Sequence, residues 1–125
     1  MTEVLVIDDT EEMRSTLRLM LESEGYSVAE AKDGRDGLSQ LKNRAFDLVV
    51  TDVFMPDVDG VEFIREARQL KPGLPVIAIS GGSKNMPSAV GLHLSSALGA
   101  MRTLYKPFRK SELIESIKGV LAADV

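Results

Sequence analysis

Short apolar runs alternate along this chain with longer stretches whose apolar residues recur every three or four positions, and that alternation restricts the fold more than any other feature. Residues 3–8 (EVLVID) read as a buried strand. Thr10 is placed to cap a helix in which Met13, Leu17, Met20 and Leu21 recur at helical spacing, and Gly25 is a natural stop. Residues 26–31 (YSVAEA) alternate like a strand with one exposed face. Asp33 or Gly34 opens a second helix carrying Leu38 and Leu41, and residues 47–51 (DLVVT) form a third strand. After a turn-rich loop over 52–60, residues 61–70 predict a third helix with Phe63, Ile64, Ala67 and Leu70 inward. Residues 75–80 (PVIAIS) make a fourth strand, and a loop over 81–87 leads into a fourth helix reaching about Gly99. A short fifth strand over 101–105, the connection Lys106-Pro107-Phe108 and a closing helix over 110–122 complete the chain. Five strand–helix units in alternation predict an α/β domain over 1–125, a parallel sheet with helices on both faces.

The bulk numbers close off other classes. With no cysteine, the chain has no disulfide framework, thiolate metal site or cysteine nucleophile, which fits a reducing cytosol. The apolar run Val4-Leu5-Val6-Ile7 ends in two aspartates and is too short for a signal core or a membrane span. A net charge of −4 with no basic run argues against direct nucleic-acid binding.

Open parallel sheets place their sites beyond the carboxyl ends of the strands, where strand order reverses. Asp8 and Asp9 follow the first predicted strand, Asp52 the third and Lys106 the fifth, while Ser80 ends the fourth. Each alone has a plain reading as a helix cap, a turn residue or an exposed charge. Together they bring three carboxylates, a hydroxyl and an ammonium to one rim. Two like charges about 4 Å apart cost roughly 4 kcal/mol at an effective dielectric near 20, and a divalent cation removes that penalty. Oxygen ligands with retained waters suit Mg²⁺, and a carboxylate beside it can attack a phosphoryl donor.

With these motifs in this order, the chain resembles the receiver domain of bacterial two-component response regulators, of the chemotaxis-regulator type. The resemblance runs from Val4 to Leu121. It is carried by Val-Ile-Asp8-Asp9, Asp52-Val-Phe-Met-Pro56-Asp-Val-Asp-Gly60, Ile-Ser80-Gly81 and Lys106-Pro107-Phe108. It implies a flavodoxin-like three-layer sandwich with strand order 2-1-3-4-5. Asp52 would be the phosphoacceptor. Asp9 would ligate Mg²⁺ directly, Asp8 largely through water, and the Phe54 carbonyl would add a ligand. Lys106 would pair with a phosphoryl oxygen. Ser80 would hold the phosphoryl group beside the backbone N–H groups of Phe54 and Gly81. The Lys106–Pro107 bond would be cis. The implied function is phosphorelay signalling in the cytoplasm. A histidine kinase or phosphotransfer protein would be the donor, and the fourth helix, fifth strand and closing helix would form a face for an output protein or a second copy. Such a protein catalyses only its own phosphorylation and dephosphorylation.

The sequence departs from that pattern where receiver domains usually carry an aromatic residue, three positions before the lysine. Here that position is Thr103, while Tyr105 shares its phase two residues on and opposes Leu104. Either the switch is smaller or Tyr105 or a side chain of the fourth helix takes over. Gly81-Gly82-Ser83-Lys84 resembles a fragment of a phosphate-binding loop without its full spacing. No acidic residue lies between Gly81 and Met101, which reads either as a half-buried helix or as a neutral docking face that includes Ser95 and Ser96. His93 is the only histidine and has no part in this chemistry. A phosphorylation-independent interaction module on the same fold stays open as an alternative. A flavin protein is disfavoured by acidic Asp8-Asp9, and an aspartate-nucleophile phosphohydrolase by the lack of a D-x-D pair on the first strand.

Overall fold

The computed structural model describes residues 2–52, 59–80 and 102–122, with the backbone alone for 59–61 and 80. Five strands form one sheet: β1 (Glu3–Ile7), β2 (Ser27–Ala31), β3 (Leu48–Asp52), β4 (Val76–Ser80) and β5 (Arg102–Tyr105). All pair in parallel, in the order β2-β1-β3-β4-β5. The described helices are α1 (Glu11–Glu22), α2 (Gly34–Asn43), α3 (Asp59–Leu70) and α4 (Lys110–Ala122). The fourth helix expected ahead of Gly99 lies outside the described residues, as do Phe54 and Gly81.

Side-chain alternation along the strands splits the core into two layers. Leu5, Ile7, Val49, Val76 and Ala78 face α2 and α3, meeting Leu41, Phe63, Ile64 and Ala67. Val4, Val6, Leu48, Val50, Ile77, Ile79 and Leu104 face the other way, onto Leu17 and Leu21 of α1 and Leu113, Ile117 and Val120 of α4. Both faces of β1, β3 and β4 are therefore covered, which is why these strands are continuous apolar runs. This is the doubly wound three-layer arrangement expected above. At one point the layers touch closely. A Cβ on Gly37 of α2 would sit 2.5 Å from Ile7 Cδ1 and 3.0 Å from Phe63 Cε1, so only glycine lets α2 approach both the sheet and α3.

Several boundaries and placements differ from the sequence reading. Asp52 is the last residue of β3, not the first after it, and α3 starts at Asp59, two residues before the expected start. Leu70, expected inward, is 41% exposed because α3 ends there and the sheet no longer lies beneath it. β2 shows no clean alternation: as an edge strand partly overlaid by helix side chains, it is half-buried from Ser27 to Glu30. Thr10 has the extended backbone of an N-cap but makes no side-chain cap bond, since its hydroxyl is spent on Asp8. Asp33 caps α2 in the expected manner, its side chain accepting from the Asp36 N–H at 2.8 Å. α1 ends through Gly25, whose φ of +90° suits glycine, and the Tyr26 N–H returns to the Leu21 carbonyl at 3.2 Å.

Candidate functional site

The strand order reverses between β1 and β3: the chain leaves β1 for β2 on one side and returns to β3 on the other. Asp8 follows β1 and Asp52 closes β3, so the crevice at this reversal is lined by carboxylates from neighbouring strands. One oxygen each from Asp8, Asp9 and Asp52 lies within 4.8 Å of the others. Asp8 and Asp52 are buried at 1% and 6% exposure, while Asp9 faces solvent.

Lys106, directly after β5, brings the balancing charge. Its Nζ lies 3.3 Å from Asp52 Oδ2 and 3.6 Å from Asp8 Oδ2. The bond to Pro107 that follows is cis, as expected. Asp8 is held from several directions. Its N–H donates to the Ala31 carbonyl at 3.2 Å. Its Oδ1 accepts from both the N–H and the hydroxyl of Thr10, each at 2.9 Å. Its carbonyl accepts from Arg14 at 2.7 Å. These bonds leave Oδ2 buried with no hydrogen-bond partner, the lysine being beyond bonding range.

A hard divalent cation fits this donor set. Three carboxylates against one ammonium leave net negative charge, the buried Asp8 Oδ2 accepts no hydrogen bond and can serve a cation, and exposed Asp9 leaves a side open for coordinated water. Ser80 ends β4 opposite Tyr105 and one step past Ile79, the register partner of Asp52, so its backbone reaches the same rim. On β5, Leu104 is buried, Thr103 is half-buried beside Ala78, and Tyr105 is 51% exposed, in the alternation expected from the sequence.

Sequence reasoning missed two contributors. Thr10 reads in the sequence as a helix N-cap, although its place two residues after Asp8 also suits a local side-chain-to-backbone turn. Arg14 has no local signal, since its partners Asp8 and Glu30 come from two different strand ends.

Fold and site together define a doubly wound α/β protein with an acidic pocket beside a lysine at its topological switch point. The family model described as the response regulator receiver domain matches residues 4–118, and the chain belongs to that family. Among curated relatives, a transcriptional regulatory protein CpxR homolog from Haemophilus influenzae is 36% identical over 121 residues, covering 97% of this chain and 51% of the relative. The chain spans about half the length of the curated relatives it matches. Among solved structures, the CheY-like receiver domain protein from Methanospirillum hungatei has a TM-score of 0.88 at 30% identity, covering 99% of this chain and 96% of that one. The beryllofluoride-activated NtrC4 receiver domain dimer has a TM-score of 0.86 at 36% identity, with both chains covered in full. The chain is thus a phosphorelay signalling module of the two-component kind. Among the described residues no helix is long and apolar enough to cross a membrane.

Proposed function

We propose that Asp52 accepts a phosphoryl group in a Mg²⁺-dependent reaction, with a histidine kinase or histidine phosphotransfer protein as donor. The observation that carries this reading is the Lys106 ammonium between Asp52 and Asp8, within a cluster whose buried Asp8 Oδ2 has no hydrogen-bond partner. An oxygen of Asp52 attacks phosphorus, a P–O bond forms, and the P–N bond to the donor imidazole breaks. Lys106 compensates charge on the transferring oxygens from its place 3.3 Å from the nucleophile. Asp8 and Asp9, with the carbonyl of Phe54, would hold Mg²⁺ beside Asp52. Bound Mg²⁺ supplies neutralisation of the carboxylates and of the developing phosphoryl charge.

Ser80 and the backbone N–H groups of Phe54 and Gly81 receive the phosphoryl oxygens. The chain acts only on its own carboxylate, and water later hydrolyses the acyl phosphate. The added charge draws Ser80 and Lys106 inward and shifts the face that includes β5 and α4, together with the helix the sequence predicts ahead of Gly99. That face binds an output protein or a second copy. The dimeric state of the activated NtrC4 domain supports the second. With Thr103 in place of an aromatic, exposed Tyr105 is the ring on β5 able to follow the switch.

A small phosphodonor with Mg²⁺ tests the reading: it labels the wild type and not Asp52→Asn. Equal labelling of both removes Asp52 as acceptor, and no labelling of either favours the phosphorylation-independent module.

A further inference from the structure

Asp8 and Asp9 are joined by one peptide, and Arg14 holds that peptide by its carbonyl. A guanidinium nitrogen of Arg14 donates to the Asp8 carbonyl at 2.7 Å, while Nε of the same group donates to Glu30 Oε1 at 3.2 Å. Glu30 is itself fixed. Its other oxygen accepts from Arg18 Nε at 2.6 Å, and its main-chain carbonyl accepts from Gln40 Nε2 of α2 at 2.8 Å. Arg14 is therefore a strut between β2 and the loop after β1, with its side chain 16% exposed.

A peptide unit is planar, so the atoms from the Asp8 Cα to the Asp9 Cα move as one body. Fixing the Asp8 carbonyl fixes the N and Cα of Asp9, and the Thr10 N–H bond to Asp8 Oδ1 holds the next peptide, so the two restraints together set the direction in which the Asp9 side chain leaves. Asp8 has Thr10 to hold its own carboxylate, and Asp52 is buried in the sheet. Asp9 is the exposed member of the three and gains most from an external brace.

We infer that Arg14, keyed by Glu30, is a positioning residue for divalent-cation binding: it orients Asp9 without touching the ion. This rests on the Mg²⁺ site proposed above. The sign of the effect separates positioning from charge. A guanidinium near three carboxylates repels a dication, so deleting it for its charge alone would tighten Mg²⁺ binding. Loss of a brace behind a ligand weakens metal binding, typically about 10-fold to 100-fold.

The test is titration calorimetry of the wild type, Arg14→Met, Arg14→Lys, Asp9→Asn and the Arg14→Met/Asp9→Asn pair with Mg²⁺, alongside urea unfolding in chelator. Methionine keeps the apolar stem, and lysine keeps the charge but cannot span both Asp8 and Glu30. The expected result is a Kd about 10-fold or more above wild type for Arg14→Met. A smaller rise follows for Arg14→Lys, and Arg14→Met adds nothing once Asp9 is asparagine. Equal or tighter binding by Arg14→Met overturns the inference and leaves the site standing. Should Arg14→Met unfold, wild-type affinity in Arg14→Lys overturns it equally. If the wild type shows no saturable binding that Asp9→Asn weakens, the Mg²⁺ site falls and the inference falls with it.

Discussion

Replacing Asp8 by asparagine should stabilise the protein in chelator and destabilise it, relative to wild type, in Mg²⁺. The first half follows from the distances. Carboxylate oxygens of Asp8 and Asp52 lie within 4.8 Å, a repulsion of about 3.5 kcal/mol at an effective dielectric near 20. Asp9 adds a second repulsion, reduced by its exposure to about 1–2 kcal/mol. Against these stands the attraction to Lys106 at 3.6 Å, about 4–5 kcal/mol on the same scale. Arg14 also lies near Asp8, but its charge is paired with Glu30 at 3.2 Å, so neutralising Asp8 removes slightly more repulsion than attraction. Asparagine also keeps an oxygen for the two Thr10 bonds and puts an N–H₂ donor where the orphaned Oδ2 now sits. The net gain is about 1 kcal/mol. Mg²⁺ reverses the order: at 100 times its Kd a ligand adds about 2.7 kcal/mol to the state that binds it, and the variant has lost a ligand. The chain has no tryptophan, so urea unfolding is followed by far-ultraviolet circular dichroism, with and without Mg²⁺. A variant less stable than wild type in chelator, or equal gains from Mg²⁺ in both proteins, would refute the electrostatic argument.

Two further outcomes follow from other parts of the molecule. Gly37→Ala gains about 1 kcal/mol of helix propensity but drives a methyl to 2.5 Å from the buried Ile7 side chain, at a cost of about 1–3 kcal/mol, so a net loss is expected in the urea midpoint, and a gain would show that α2 can retreat. Lys106→Met removes the ammonium 3.3 Å from Asp52 and 3.6 Å from Asp8. It should therefore tighten Mg²⁺ binding in calorimetry while slowing phosphoryl transfer, and weaker Mg²⁺ binding would contradict the assigned role.

The sheet was legible because β1, β3 and β4 are covered on both faces and had to be written as apolar runs. The four charged site residues were legible because each stands at or beside a strand end, where local sequence and topology coincide. Exact boundaries were not. Asp52 continues the β3 ladder opposite Ile79, a pairing no local pattern announces. Leu70 has the correct helical phase, yet α3 runs past the edge of what it covers. Thr10 looked like a helix cap because its type and position fit, and only the fold reveals that Asp8 takes its hydroxyl. Glu30 reads as the polar face of an edge strand, but the two arginines that bind it lie 12 and 16 positions away in sequence. Side chains whose partners come from other elements carry no periodic signal, and that is where sequence reasoning stopped.

The most direct measurement is chemical mapping of the phosphorylated residue. After treatment with a small phosphodonor and Mg²⁺, borohydride reduction converts an aspartyl phosphate to homoserine, and peptide mass analysis locates it. Homoserine at position 52, absent when a chelator replaces Mg²⁺, is the predicted result. Modification at another residue, or unchanged yield in chelator, would contradict an Asp52 acceptor made ready by a cation among Asp8, Asp9 and Asp52.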